Sequence, residues 1–500
     1  MKYSTLISAS LLLAAAPALA APAASNSDDH AVKPITANPA RRVRRAVPSA
    51  LDADDPENNY VVVMAANENR PWPEIFDEMG FNTSDTTLRA QEALDYSFGK
   101  QVGEIRTFGT SMRAFTMRLH ESEAEAMGDA DNIRIIEKDS IVDIPAIIPA
   151  TVGPQQMTAD SFSFEPAQVP AAPPARTRMW GMLGIDRLWR RQTQGQVTQQ
   201  ASAPWNLARV STGQNRVVPN GRRVGGLGFR FQFDSTAGSG VDVYMLDTGM
   251  NVRHQDFGGR ARTVFSAFND DGRDNEGHGT HTAGTVGSRT FGVAKNVNLL
   301  NVKVLEPRGR GSFAAVLQGI DASIQRHNQR KGQAGFQGSI ISMSLGGRGT
   351  PQSMLMMLQK ATQAGVHVSV AAGNDNTDAC GFNPAAFSRQ IPIITVGATD
   401  VNDNKASFSN FGSCVDIHAP GTQVLSTWNN GPQGTNVIQG TSMACPAVSG
   451  LIADMLVKNP NLRLNPAGMK QLLLSRGNRV RIAGSRGGEI MLSNGLRATA

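Results

Sequence analysis

"GVDVYMLDTG" (Gly240–Gly249) is an apolar run closed by Asp-Thr-Gly. Its side chains are mostly apolar on both faces of an extended chain. That pattern belongs to a strand buried inside a parallel sheet, not to one with a wet face. Similar runs follow it: "VNLLNVKVL" (Val297–Leu305), "SIISMSL" (Ser339–Leu345), "GVHVSVAAGN" (Gly365–Asn374) and "IPIITVGA" (Ile391–Ala398). Between them, "FAAVLQGIDASIQRHN" (Phe313–Asn328) and "PQSMLMMLQKATQA" (Pro351–Ala364) read as helices. Strand–helix alternation predicts an α/β domain with helices on both faces of a parallel sheet. Ligand sites in such sheets lie beyond the carboxyl ends of the strands.

Polar residues gather at those ends. Asp247 closes the first strand, and Asn374 closes "VAAGN". His278 stands ahead of a small-residue helix in "GHGTHTAGTVG" (Gly277–Gly287), and Ser442 lies in "GTSMACPAVSG" (Gly440–Gly450), before the apolar helix "LIADMLVKNP". Each residue alone has an ordinary reading. Thr441 or Ser442 could simply cap the helix, and a Gly-Asn turn often serves the backbone. His278 and His281 could bind metal, but their spacing is not that of the H-E-x-x-H zinc helix and no glutamate separates them. Together they form a set that acyl transfer by a hydroxyl requires. Asp247 would orient His278, and His278 would take the proton of Ser442. The N–H of Ser442 and the amide of Asn374 would hold the oxyanion. Their order along the chain, Asp-His-Ser, is that of subtilisin.

The chain has 500 residues, is 40% hydrophobic, and carries a formal charge of +6 with a pI near 9.4. The basic excess is local. "ARTRMWGMLGIDRLWRRQ" (Ala175–Gln192) holds five arginines and one acid, without the aromatic interleaving that stacks bases. Nucleic acid is therefore not an expected partner. At the start, Lys2, the apolar "LISASLLLAAAPALA" and Ala18-Leu19-Ala20 read as a signal peptide over 1–20. The apolar run is too short for a good membrane span. A secreted, extracellular protein without a membrane partner is expected. Secretion permits disulfides, and Cys380, Cys414 and Cys445 allow one internal bridge with three alternative pairings.

Residues 21–58 are a polar segment containing "RRVRR" (Arg41–Arg45), either a processing site or a solvated charge run. Over 59–144 the order of elements is roughly β-α-β-β-α-β, a small α+β ferredoxin-like domain. Its strands are "YVVVMA", "QVGEIRTF", "MRAFTMRL" and "IRIIEKDSIVDI", and "ESEAEAMGDA" is a helix. Residues 145–202 have a Pro/Ala/Gln-rich linker composition. Residues 203–500 form the α/β domain.

That domain resembles the subtilisin-like serine proteases, and within them the proteinase K branch. The resemblance rests on "APWNLARVS" (Ala203–Ser211), "DTGMNVRHQDF", "DNEGHGTHTAGTVGSRTFGVAKNVNLLNVKVL", "SLGG", "AAGN", "SFSNFGSCVDIHAPG" and "GTSMACPAVSGLIADML". It implies a three-layer subtilisin-like fold with Asp247, His278 and Ser442 as triad and Asn374 as oxyanion donor. Polypeptide substrates would add as a strand between "SLGG" (Ser344, Leu345, Gly346, Gly347) and "GRGSF" (Gly309, Arg310, Gly311 onward). The primary pocket would be lined by Ser344–Gly347 and Ala371, Ala372 and Gly373. These are small neutral residues, so a broad apolar or aromatic preference is expected. Arg310 would bias an outer subsite toward acids. Domain 59–144 resembles the family's inhibitory propeptide, whose tail, here "DSIVDI", blocks the cleft until self-cleavage; the protein's own propeptide is thus an intramolecular partner. A monomer is expected.

Further implications come only through the resemblance. Cys380 and Cys414 match positions bridged in some relatives, which leaves Cys445 free. Asp416, with carbonyls near Ile391 and Ile393, matches a structural calcium site; no cofactor is required for catalysis. Two departures stand out: Ala447 replaces a usual histidine, and Thr282 replaces a cysteine common in this branch. A catalytically inactive relative that binds peptides is the second reading. An α/β-hydrolase esterase would need a G-x-S-x-G elbow that Ser442 lacks.

Overall fold

A computed structural model of the chain describes residues 35–36, 58–78, 106–108, 111–144, 148–149, 195–213, 217–268, 270–349, 351–479, 482 and 489–496. The expected signal peptide, "RRVRR" and the basic segment 175–192 lie outside these residues.

A small antiparallel sheet comes first. It contains β1 (Ile35–Thr36), β2 (Asn58–Met64), β3 (Arg106–Phe108), β4 (Ala114–Leu119) and β5 (Ile133–Lys138), in the order β1-β5-β2-β4-β3. Helices α1 (Trp72–Glu78) and α2 (Glu121–Gly128) belong to this unit. Alternation along β2 splits its side chains. Tyr60, Val62 and Met64 pack with Ile75, Phe76 and Phe115, while Val61 and Val63 join the large core described below. Two features differ from the sequence reading. Ile35–Thr36, in the segment read as merely polar, pairs with β5. And "IRIIEKDSIVDI" is two strands, not one: the chain leaves β5 at Asp139 and resumes as β6 (Ile141–Asp143), outside the small sheet.

After β7 (Ile148–Pro149), β8 (Val197–Ala203) pairs with β9 (Phe229–Asp234), across α3 (Trp205–Ser211). Residues 197–202, read as linker from their glutamines, are thus a strand of the large unit. The main sheet is built from β10 (Val241–Asp247), β11 (Ala261–Ser266), β12 (Asn298–Lys303), β14 (Gly338–Met343), β16 (His367–Ala371), β18 (Ile394–Thr399), β19 (Ile417–Pro420), β22 (Asn478–Arg479) and β23 (Ile490–Met491). Their order is β11-β12-β10-β14-β16-β18-β19-β23-β22, and every pairing from β11 to β23 is parallel. Strand β10 is buried along its whole length. Its Val241, Val243 and Met245 face one core, Tyr244 and Leu246 the other. The first core holds α4 (His278–Gly287) and α7 (Thr441–Lys458); the second holds α5 (Phe313–Arg330) and α6 (Gln352–Ala364). Helix α8 (Pro466–Arg476) follows α7. Short strands β13 (Arg310–Ser312), β15 (Gly347–Arg348), β17 (Phe382–Asn383), β20 (Val424–Thr427) and β21 (Thr435–Gln439) lie outside this sheet. This is the α/β fold, with a large parallel sheet between helices, expected from the strand–helix alternation.

The small unit docks through two carboxylates. The side chain of Glu137 accepts from Gln352 N (3.0 Å), Ser353 N (3.2 Å) and Ser353 Oγ at the start of α6. Asp139 accepts from Ala314 N (3.1 Å) at the start of α5. The N–H groups of a first helical turn have no intrahelical partner, and the helix dipole favours an anion there. Burial nevertheless pushes both carboxyls up, Asp139 to about 6 from an ordinary 3.8. A raised pKa means that docking favours the protonated form. Its contribution is full below the ordinary value and is lost as pH rises through about 6. We expect hydrogen-exchange protection of β2 and β5, corrected for intrinsic rates, to step down between about pH 4 and 7. Asp139→Asn should flatten that step.

Candidate active site

Asp247 ends β10 and His278 begins α4. His278 Nδ1–H donates to Asp247 Oδ1 at 2.7 Å, with both side chains buried. Asp247 accepts two further bonds, from Thr248 N (2.8 Å) to Oδ1 and from Thr282 Oγ1 (3.1 Å) to Oδ2. Thr282, which stands where a cysteine is common, therefore supports the carboxylate directly. Burial pulls the His278 pKa down, but the charge and hydrogen bond of Asp247, with Glu276 and Asp274 behind it, outweigh burial and leave it raised. The other ring nitrogen, Nε2, is buried without a partner among the described residues.

The turn that delivers His278 is tied from below. Asp274 accepts from Thr248 Oγ1 (2.9 Å), Gly277 N (2.7 Å), Thr280 N (2.8 Å) and Thr280 Oγ1 (2.6 Å). Glu276 accepts the N–H of His278 at 2.6 Å. Two glycines make room. A Cβ on Gly279 would stand 2.1 Å from Gly249 O, and one on Gly277, at φ 117°, 2.3 Å from the Trp428 ring. Neither Asp274 nor Glu276 stands out in the sequence as a site residue; both lie in the "DNEGHGTH" segment.

Ser442 lies in the first turn of α7, which packs against α4. Its Oγ donates to Ser344 O at 3.3 Å, and Ser344 Oγ donates to Ser442 O at 2.9 Å. The hydroxyl is thus turned to the "SLGG" rim, not to His278. Asn374 Oδ1 accepts from Thr441 N (2.9 Å) and Thr441 Oγ1 (2.8 Å), which holds the amide beside the start of α7. A Cβ on Gly440 would lie 3.0 Å from Asn374 Nδ2. Ala371 ends β16, Ala372 N donates to Val396 O (3.0 Å), and Gly373 N donates to Thr441 Oγ1 (3.2 Å). Ala447 sits in the first core.

The two rims named from sequence flank one stretch of chain. Strand β6 pairs antiparallel with β13, setting Asp143 against Arg310, Val142 against Gly311 and Ile141 against Ser312. The same ladder continues with Ile144 N donating to Gly309 O at 2.8 Å, and on the other edge Asp143 and Gly346 exchange both backbone bonds, each 3.0 Å. Leu345 is buried, and Gly347 starts β15. Arg310 Nε donates to Asp143 Oδ1 at 3.0 Å, an exposed ion pair. Further on, β7 pairs with β21 through Ile148 and Gln439, and Gln439 lies three residues before Ser442.

Cys380 and Cys414 are joined, with S–S 2.11 Å, and Cys445 is free and buried, its thiol pushed up to about 11 by burial. His281 does not face the same partner as His278. Its Nε2–H donates to Val424 O at 3.0 Å, and burial holds its pKa down to about 3. Among the described residues no group of three or more His, Cys, Asp or Glu is arranged to hold a metal ion, and no helix is long and apolar enough to cross a membrane. Asp416, the expected calcium ligand, pairs with Lys470 Nζ at 2.9 Å.

Residues 238–487 match the Subtilase family. The chain is 32% identical to the subtilisin-like serine protease Pen ch 18 of Penicillium rubens, over 85% of this chain and 76% of that one. It is 42% identical to alkaline protease 2 of Aspergillus fumigatus, over 53% and 52% of the two chains. A solved structure of a cold adapted subtilisin-like serine proteinase superposes with a TM-score of 0.50 at 38% identity, covering 58% of this chain and 98% of that one. With a parallel α/β sheet of the same kind and a relative matched over most of both chains, the chain belongs to the subtilase family of serine proteases.

Proposed function

We propose that this protease is a secreted endopeptidase of the proteinase K branch that cuts peptide bonds through an acyl-enzyme on Ser442. The observation that carries this reading is the buried Asp247–His278 bond with Nε2 left unpartnered, at the head of a helix packed on the helix that Ser442 heads. In this reading the Ser442 hydroxyl exchanges Ser344 O for that nitrogen during the reaction. His278 takes the proton as Oγ attacks the carbonyl carbon, and Asp247 stabilises the imidazolium. The oxyanion is held by Ser442 N–H, at the positive end of α7, and by the Asn374 amide. His278 then protonates the departing amine. Water then enters, gives a proton to His278 as its oxygen attacks the acyl carbon, and the acid leaves as the bond to Ser442 Oγ breaks and His278 returns that proton to Oγ.

We further propose that residues 59–144 form the inhibitory propeptide. The support is threefold: the carboxylates of Glu137 and Asp139 on α6 and α5, the strand pairing of β6 with β13 and Gly346, and the contact of β7 with β21. Residues 141–144 thus lie between the two rims, as a bound peptide would, and 148–149 run along β21 beside the start of α7. Substrate then takes the same place. The pocket of Ser344–Gly347 and Ala371–Gly373 carries no charged side chain, which favours apolar or aromatic groups. The single disulfide agrees with an extracellular setting.

Three outcomes are expected once 1–144 has been removed. Ser442→Ala abolishes turnover of a peptide substrate while leaving peptide binding; in an inactive peptide-binding relative, the unaltered chain would already lack turnover. Asn374→Ala lowers kcat about 10²–10³-fold, the magnitude measured on subtilisin itself when one oxyanion donor is removed; an unchanged kcat removes Asn374 from the mechanism. Arg310→Ala reduces selection for an acid at the substrate position equivalent to Asp143 by roughly two- to fivefold in kcat/KM, since an exposed ion pair contributes little. No change would mean that this subsite does not read charge.

A further inference from the structure

Lys470 lies in α8, with its side chain 15% exposed. Its ammonium has three N–H donors, and three oxygens meet them: Ser388 O at 2.8 Å, Ile393 O at 2.8 Å and Asp416 Oδ1 at 2.9 Å. The remaining oxygens nearby are also engaged. Asp416 Oδ2 accepts from Thr395 N at 2.9 Å, and Ile391 O accepts from Ile393 N at 2.8 Å. Asp416 and the carbonyls at Ile391 and Ile393 are the groups that the resemblance assigned to calcium. Calcium needs about 6–8 oxygens at about 2.3–2.6 Å. Here the shared oxygens surround an ammonium at hydrogen-bonding distance, and an ammonium and a divalent cation cannot share one cage. The residues present do not fit calcium.

We infer that the Lys470 ammonium is the resident cation of this cage. Tethered to α8, it supplies through hydrogen bonds and an ion pair the cross-bracing that a bound ion would supply. One side chain from α8 fastens three separate segments: the turn at Ser388, the start of β18 at Ile393, and Asp416 just before β19. The charge sign and the number of donors match the oxygens offered, and the buried carboxylate has an opposite charge in contact. The cage is tested independently of the peptidase reading, because it is read out by stability in a chain that needs no catalytic activity.

The test uses the full chain carrying Ser442→Ala, so that self-digestion does not interfere. Melting temperature is measured in chelator and in excess calcium for this chain, for Lys470→Met, and for Lys470→Met with Asp416→Asn. Losing the ammonium strands a buried carboxylate, so Lys470→Met in chelator should melt lower by roughly 5–10 °C. Calcium should restore much of that loss in Lys470→Met, not in the double variant, and should not raise the chain that keeps Lys470. The inference is overturned if Lys470→Met melts unchanged in chelator. It is equally overturned if calcium raises the parent and Lys470→Met alike, or if calcium rescues neither variant, which would leave a plain ion pair and no cation cage. Should Lys470→Met fail to fold, the parent and Asp416→Asn suffice: a calcium-dependent rise in the parent that Asp416→Asn removes would contradict the inference.

Discussion

A carboxylate buried at the end of a central strand has to be compensated on the spot, because an unpaired charge in the interior is far too costly. Asp247 meets that demand with the His278 ring, the Thr248 N–H and the Thr282 hydroxyl. Two of the three donors belong to α4, so satisfying the charge also fixes that helix against β10. The approach is close enough that Gly279 has no room for a side chain. Helix α4 in turn packs on α7, and the position of the Ser442 backbone follows from the same contact. One electrostatic requirement thereby sets the geometry of the whole site, and it also explains why the imidazole keeps a raised pKa in spite of complete burial.

The small unit answers a different demand. Helices α5 and α6 belong to the second core, and the backbone N–H groups at their starts need acceptors. Glu137 and Asp139 supply them from another part of the chain. The apolar half of the same sheet, Val61, Val63 and Ile135, closes over that core. The chain leaving Asp139 then enters the space between the two rims. Docking on the two helices and entry between the rims therefore run along one continuous stretch, residues 137–144.

Much of this was legible in the amino-acid order because the determinants are local. Strand β10 announced itself through side chains apolar on both faces, and Asp247, His278, Asn374 and Ser442 stood in short segments whose spacing is rigidly tied to strand ends and helix starts. The rest depended on distant partners. "IRIIEKDSIVDI" is rich in β-branched residues and reads as one strand; what breaks it is an acceptor role toward Ala314, 175 residues away. The strand at 197–203 has a linker's composition and exists because β9 offers it an edge. Thr282 looked like a lost cysteine, yet its hydroxyl faces Asp247. Lys470 gave no signal within "GMKQLLLSR", since only the fold brings Ser388, Ile393 and Asp416 to it. The cysteines left three pairings open, and a Cα separation of 5.3 Å realises one of them.

The central claim, that Ser442 is a nucleophile activated by His278 and screened by residues 141–144, is tested most directly by covalent labelling. The full chain and the chain freed of 1–144 would be treated with a fluorophosphonate and the modified residue located by peptide mass mapping. The account predicts a label on Ser442 of the freed chain, absent when His278 is alanine and slow to form in the full chain. Absence of label on Ser442 in the freed, folded chain, or a label that forms equally without His278, would contradict it.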